Sequence, residues 1–153
     1  MKSKNSILFF YLLMFGLLLS PLAAALADEV PPLGSKPLSL ILKMVEEQKL
    51  GSITDAEFDD GLWELKVCAA AACQKLYIDP KSGSEVRRLK TDSDVIPPAN
   101  ALALSTIILS VEARNPGIIT EVDFDDGFWK VDLHKDGQKI RLVIDPKTGE
   151  TGR

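Results

Sequence analysis

The residues able to do chemistry are few: two cysteines, one histidine and two clusters of acidic residues. Cys68 and Cys73 enclose four residues rather than two, and no helix start precedes them. The spacing and the helix dipole of a redox-active dithiol are therefore both missing. A zinc site needs further ligands, and no histidine precedes His134. The pair reads instead as a structural disulfide, which implies an oxidising compartment. His134, the sole histidine, stands beside Lys135 just ahead of Asp136-Gly137 and reads as a solvated hairpin residue. No Ser/His/Asp or Cys/His set can be assembled, so no catalytic residue, cofactor or metal ligand is assigned. Asp59-Asp60-Gly61 follows Asp55 and Glu57, and Asp125-Asp126-Gly127 follows Glu121 and Asp123. These acids lack the spacing of a calcium loop, and Asp-Asp-Gly suits a tight turn in its own right. Asp59, Asp60, Asp125 and Asp126 stand as possible contacts for a partner or a cation, against a turn role that needs neither.

What positions these residues is an ungapped internal repeat. Shifted by 66 residues, Val30-Pro31-Pro32 falls on Ile96-Pro97-Pro98, and Phe58-Asp59-Asp60-Gly61-Leu62-Trp63 on Phe124-Asp125-Asp126-Gly127-Phe128-Trp129. From Leu38 to Glu85 roughly 40% of aligned positions are identical, far above chance. Two units follow, 28–93 and 94–153, joined through Lys90 to Pro98. Whether they share one sheet is left open by the sequence.

Each unit begins with a helical pattern: Leu38, Ile41, Leu42 and Val45, then Leu104, Ile107, Ile108 and Val111. Gly51 is expected to close the first helix as its C′ residue, and Asn115-Pro116-Gly117 to stop the second. Turns at Asp126-Gly127 and Asp136-Gly137 predict a meander. The first pairs Phe124 with Trp129, Val122 with Val131 and Thr120 with Leu133; the second pairs Trp129 with Ile144 and Val131 with Leu142. Both registers place Trp129, Val131 and Leu133 on one buried face, and pair Asp123 with Lys130 and Asp132 with Arg141 on a face suited to water. The first unit repeats this with Phe58 opposite Trp63 and Trp63 opposite Ile78, and both tryptophans read as core. By the same register Cys68 and Cys73 replace His134 and Lys139, directly opposite each other on the outward face as a non-hydrogen-bonded pair. Their disulfide would clamp the Ala69–Ala72 turn, which lacks the Asp-Gly of its counterpart. Glu85–Leu89 offers a fourth strand that the second unit does not repeat in full. The fold class is thus α+β: two tandem repeats, each one helix on a three- to four-stranded antiparallel meander.

The ends bound the location. Met1-Lys2-Ser3-Lys4 is basic, Ile7–Leu19 is uncharged, and small residues stand at Ala25 and Ala27, the three parts of a secretory signal. Residues 1–27 are read as a cleaved signal peptide with Asp28 as mature N-terminus, giving a periplasmic or secreted protein. A retained anchor would use Ile7–Ala27, but its uninterrupted apolar core is short for a span. Cleavage removes Lys2 and Lys4 and leaves 16 basic against 22 acidic residues, a net charge of −6. Such a chain has no electrostatic footprint for nucleic acid or anionic lipid, and no membrane span is expected after cleavage.

The order of helix, Ile-Thr-x-x-x-Phe-Asp-Asp-Gly-x-Trp, hairpin and Ile-Asp-Pro-Lys-(Ser/Thr)-Gly occurs at Ile53–Trp63 with Ile78–Gly83, and again at Ile119–Trp129 with Ile144–Gly149. It resembles the PepSY domain, found in propeptides of thermolysin-type metalloproteases, in spore-germination proteins and in small exported bacterial proteins. The Ala69–Ala72 turn is the departure from that pattern. The resemblance implies an α+β fold, no catalytic residues, and a protein-binding, inhibitory or regulatory role toward an envelope protease or sensor ectodomain. A small-ligand or divalent-cation-binding envelope protein is the alternative.

Overall fold

A helix of nine or eleven residues with a single apolar stripe is not stable alone and has to be covered. Two such helices meet that need together in the computed structural model of the chain, which describes residues 29–70 and 72–152. The expected signal peptide lies outside the described residues. Helix α1 (Leu38–Glu46) buries Leu38, Ile41, Leu42 and Val45, and α2 (Leu104–Arg114) buries Leu104, Ile107, Ile108 and Val111. Both lie on one face of a sheet built from β1 (Ser52–Asp59), β2 (Leu62–Ala69), β3 (Ala72–Ile78), β4 (Glu85–Thr91), β5 (Ile118–Asp125), β6 (Phe128–Lys135) and β7 (Gln138–Ile144). The order is β4-β3-β2-β1-β5-β6-β7, antiparallel throughout. The fold is therefore α+β, with two helices on a seven-stranded antiparallel sheet.

The question the sequence left open is answered at the centre. Strands β1 and β5 pair through Asp55↔Asp123, Ala56↔Val122 and Glu57↔Glu121, so the two meanders form one sheet over one continuous apolar core. In each meander the aromatic pair meets edge to face: Phe58 and Trp63 at 5.4 Å between ring centres, Phe124 and Trp129 at 5.0 Å. Such pairs add about 0.5–1.5 kcal/mol beyond their burial.

Three readings are corrected. Thr120 does not oppose Leu133, because β5 carries a bulge between Ile119 and Glu121, matched by one between Ile53 and Asp55 in β1. The extra residue turns Ile53 and Ile119 onto the core face, where Ile119 opposes Leu133. Gly51 does not close α1, which ends at Glu46; the left-handed residue beyond it is Lys49, with φ 56°. Gly51 instead lies against β2, where a Cβ would stand 2.4 Å from the Cys68 carbonyl oxygen. Asp132, placed by the sequence on a face suited to water, is buried.

Neither helix caps its own N-terminus, since Pro37 and Ala103 occupy the cap positions without a side-chain hydrogen bond. The caps come from the opposite helix. The Ser39 amide donates to Glu112 Oε1 at 3.2 Å and its hydroxyl to Oε2, while the Ser105 amide donates to Glu46 Oε1 at 3.0 Å and its hydroxyl to Oε2. The helices thus lie antiparallel, and each places a carboxylate of its last turn where the other's dipole is positive.

Candidate functional site

The two Asp-Asp-Gly turns are built as tight hairpins. Asp60 (φ 48°) with Gly61 (φ 78°), and Asp126 (φ 53°) with Gly127 (φ 82°), take the paired left-handed conformations that a two-residue hairpin needs and that Asp-Gly tolerates best. Because β1 and β5 run antiparallel, these turns sit at opposite ends of the central seam. Asp59 and Asp60 are therefore not brought together with Asp125 and Asp126. The second pair is engaged by Lys130, which salt-bridges Asp125 and reaches Asp126 at 3.9 Å. Among the described residues no three of His, Cys, Asp and Glu are arranged to hold a metal ion.

Cys68 and Cys73 form the disulfide, directly opposite each other with Cα atoms 4.1 Å apart. The pair lies on the face away from the helices, yet it is buried rather than exposed. Thr54 Oγ1 lies 3.8 Å from Cys68 Sγ, and Thr91 of β4 opposes Cys73. Ala70, in the turn that the disulfide closes, has φ 53°.

The feature invisible in the sequence is the outer face of the seam. Asp55 and Glu57 stand directly opposite Asp123 and Glu121, so four carboxylates share the centre of the sheet. Finding them required knowing that β1 and β5 are neighbours, which no local turn signal encodes. Burial, with Asp123 and Glu57 beside it, pushes the Asp55 carboxyl up to about 7. Asp123 is raised chiefly by burial, then by Asp125. Glu121 is raised by burial and by a shared hydrogen bond with Asp132. The strands on either side supply the compensating cations. Lys66 meets Asp94 at 3.1 Å, Lys75 meets Glu64 at 2.5 Å, and Lys139 meets Asp132 at 3.0 Å. Arg141 binds both oxygens of Asp132 at 2.6 Å, which holds that carboxyl down at about 2.

Two clefts of about 290 Å³ each open where the halves meet. Pro97, Pro98 and Trp129 line one with Glu46 and Ile53; Pro31, Pro32 and Trp63 line the other with Glu112 and Ile119. Each lining residue has its counterpart 66 positions away. The buried indole nitrogens of Trp63 and Trp129 have no hydrogen-bond partner among the described residues. A shallower groove of about 650 Å³ runs between the helices past Leu40, Thr106 and Leu109.

The two outer edges of the sheet differ. The free edge of β3 is covered by β4 from Ile78↔Glu85 to Cys73↔Thr91. The equivalent edge of β7 carries the bridge Ile144↔Thr151, with the Gly152 amide donating to the Val143 carbonyl at 2.7 Å.

Fold and surface together define a small α+β module with clefts where its two halves meet. The chain belongs to the PepSY-type family described as "Peptidase propeptide and YPEB domain", whose profile matches residues 9–88. Domains of this family are generally propeptide- or inhibitor-like and non-catalytic, and membership suggests an extracellular or envelope module. No curated protein matches the chain. Among solved structures, a candidate lipoprotein of Clostridium difficile 630 is similar at 17% identity and a TM-score of 0.46, over 83% of this chain and 93% of that one. No helix among the described residues is long and apolar enough to cross a membrane.

Proposed function

We propose that this chain is an exported, non-catalytic module that binds a protein and inhibits or regulates it, the partner being an envelope protease or the ectodomain of a sensor. The observation that carries the reading is membership of a peptidase-propeptide family. Residues 1–27 act as a signal peptide removed after Ala27, and 28–93 and 94–153 are copies of one ancestral unit. The 66-residue shift that superposes the sequences also relates α1 to α2 and β1–β3 to β5–β7, which supports the duplication. Cross-linking of the tagged mature chain in intact periplasm, with mass spectrometry of the products, tests the reading. Enrichment of one protease or sensor domain, followed by inhibition of that protein in vitro, is the expected outcome. A folded, abundant chain that captures nothing removes it.

The paired clefts favour a second reading, a small-ligand or divalent-cation-binding envelope protein. Calorimetry against divalent cations, with an Asp59/Asp60 double substitution as control, separates the two. Heat that vanishes in the double variant supports cation binding.

A further inference from the structure

We propose that the sheet beside Thr120 is a seat for Asp28, whose side-chain carboxylate accepts a hydrogen bond from the buried Thr120 hydroxyl. Asp28 lies just outside the described residues, and removal of the signal peptide after Ala27 makes it the first residue of the mature chain. The proposal rests on that cleavage reading and adds what the new terminus does.

The other half of the molecule shows such a seat filled. Thr54, at the bulge of β1, is fully buried, and its hydroxyl donates to Asp94 Oδ2 at 3.1 Å. Lys66 of β2 meets the same oxygen at 3.1 Å, and the Val95 amide donates to Oδ1 at 2.8 Å. Asp94 thereby ties the connection into α2 onto the first meander. A shift of 66 residues carries Thr54 onto Thr120 and Asp94 onto Asp28. Thr120 stands at the matching bulge of β5 and is 4% exposed, yet its hydroxyl has no partner among the described residues. Leaving a buried hydroxyl unpaired is costly, and native folds rarely do so.

The described chain leads toward this place. The segments entering the two helices make the same bonds at the same spacing. The Ser35 amide donates to the Pro32 carbonyl as Ala101 does to Pro98, and Lys36 to Pro80 as Leu102 does to Pro146. Further back, Glu29 Oε2 accepts from the Gly61 amide at 3.1 Å. The pairing Glu57↔Glu121 puts Thr120 at the end of the seam where this β1–β2 turn lies. Asp28 is the next residue, one Cα step of about 3.8 Å from Glu29.

The two seats differ in charge, and the difference explains why a terminal residue fits the second. Lys66 of the first seat is replaced by Asp132, which Arg141 and Lys139 already engage and which stands opposite Glu121. No lysine at that position answers a further carboxylate. Within an uncleaved chain Asp28 brings a bare negative charge to this surface. As a first residue it brings its own α-ammonium as well and adds no net charge at neutral pH. Signal removal thus favours docking, and docking withdraws the new terminus from exopeptidases.

The test starts from the full chain, exported and recovered from the periplasm, with its first residue read by intact-mass spectrometry. Recovery beginning at Asp28 is expected. A chain beginning after Asp28 overturns the seat and the cleavage reading together. One that keeps residues ahead of Asp28 removes the cleavage reading, and the seat is then judged by coupling. For that, Asp28→Ala, Thr120→Val and the double variant are unfolded in urea after near-ultraviolet circular dichroism confirms their folding. Each single substitution should raise the unfolding constant about tenfold, and the double variant no further than either alone. Additive effects, or a Thr120→Val chain as stable as the parent, overturn the proposal. An aminopeptidase that releases acidic residues gives a second measure: it should remove Asp28 from the folded parent at least about tenfold more slowly than from Thr120→Val. Equal rates overturn the seat. Inserting glycine between Ala27 and Asp28 moves the ammonium one residue away and should weaken the coupling. An undiminished coupling overturns the part assigned to signal removal.

Discussion

Ala70 carries a conformation that its counterpart leaves to Asp136. A non-glycine residue in the left-handed region is strained, and alanine lacks the side-chain hydrogen bonds with which aspartate offsets it. Ala70→Gly is expected to stabilise the protein by about 0.5–1 kcal/mol in urea denaturation, despite the usual entropic cost of glycine. The Cys68–Cys73 bridge holds that turn closed, so reduction should lower stability by about 2 kcal/mol. The bulged threonines give a second contrast. Thr54 Oγ1 donates to Asp94 at 3.1 Å, whereas the buried Thr120 hydroxyl finds no partner among the described residues. Thr54→Val should cost about 1 kcal/mol, and Thr120→Val should be neutral or slightly stabilising in a chain without the Asp28 carboxylate, as measured by chemical unfolding of both variants. The opposed cysteines were legible because a turn signal in the second meander set their register. Their burial was not, because it depends on Thr54 at a bulge and on how far β4 runs, which puts Thr91 opposite Cys73.

At the scale of elements, helices and hairpins were readable because each follows from residues a few positions apart. The helix caps were not. Ser105 is capped by Glu46 across 59 residues and Ser39 by Glu112 across 73, with no local capping sequence to announce either. Glu46→Ala or Glu112→Ala should each cost about 1 kcal/mol, in the range of a lost helix cap. A double-mutant cycle between Ser105 and Glu46 should return a coupling of similar sign, because neither group has a local substitute. Independent, additive effects of the two substitutions would remove the cap as a stabilising contact. The same blindness hid the acidic seam: each carboxylate was visible, but the opposition of Asp55 to Asp123 and of Glu57 to Glu121 joins residues of different meanders.

For the molecule as a whole, the seam makes stability a function of pH. Asp55, Glu121 and Asp123 bind protons more tightly folded than unfolded, so their contribution is fully present below the usual carboxylate range. It is lost as pH rises through about 7 for Asp55. Asp132 has the opposite sign: its contribution is present above the ordinary aspartate value and lost as pH falls toward about 2. The urea midpoint should therefore rise from about pH 8 to about pH 5 and fall again in strong acid. Asp55→Asn should flatten the alkaline side of that curve and raise stability at about pH 8; an unchanged slope would show that the seam does not titrate as described. Lys66 with Asp94, Lys75 with Glu64, and Lys139 and Arg141 with Asp132 surround the seam and set its background charge. One consequence of the shared sheet belongs to time rather than to energy. Strand β1 remains an unpaired edge until β5 exists, and α1 lacks its cap until Glu112 has been made. A chain emerging from its N-terminus can pair β1 through β4 by Thr91, but the free edge of β1 and the uncapped start of α1 are satisfied only when the last third arrives.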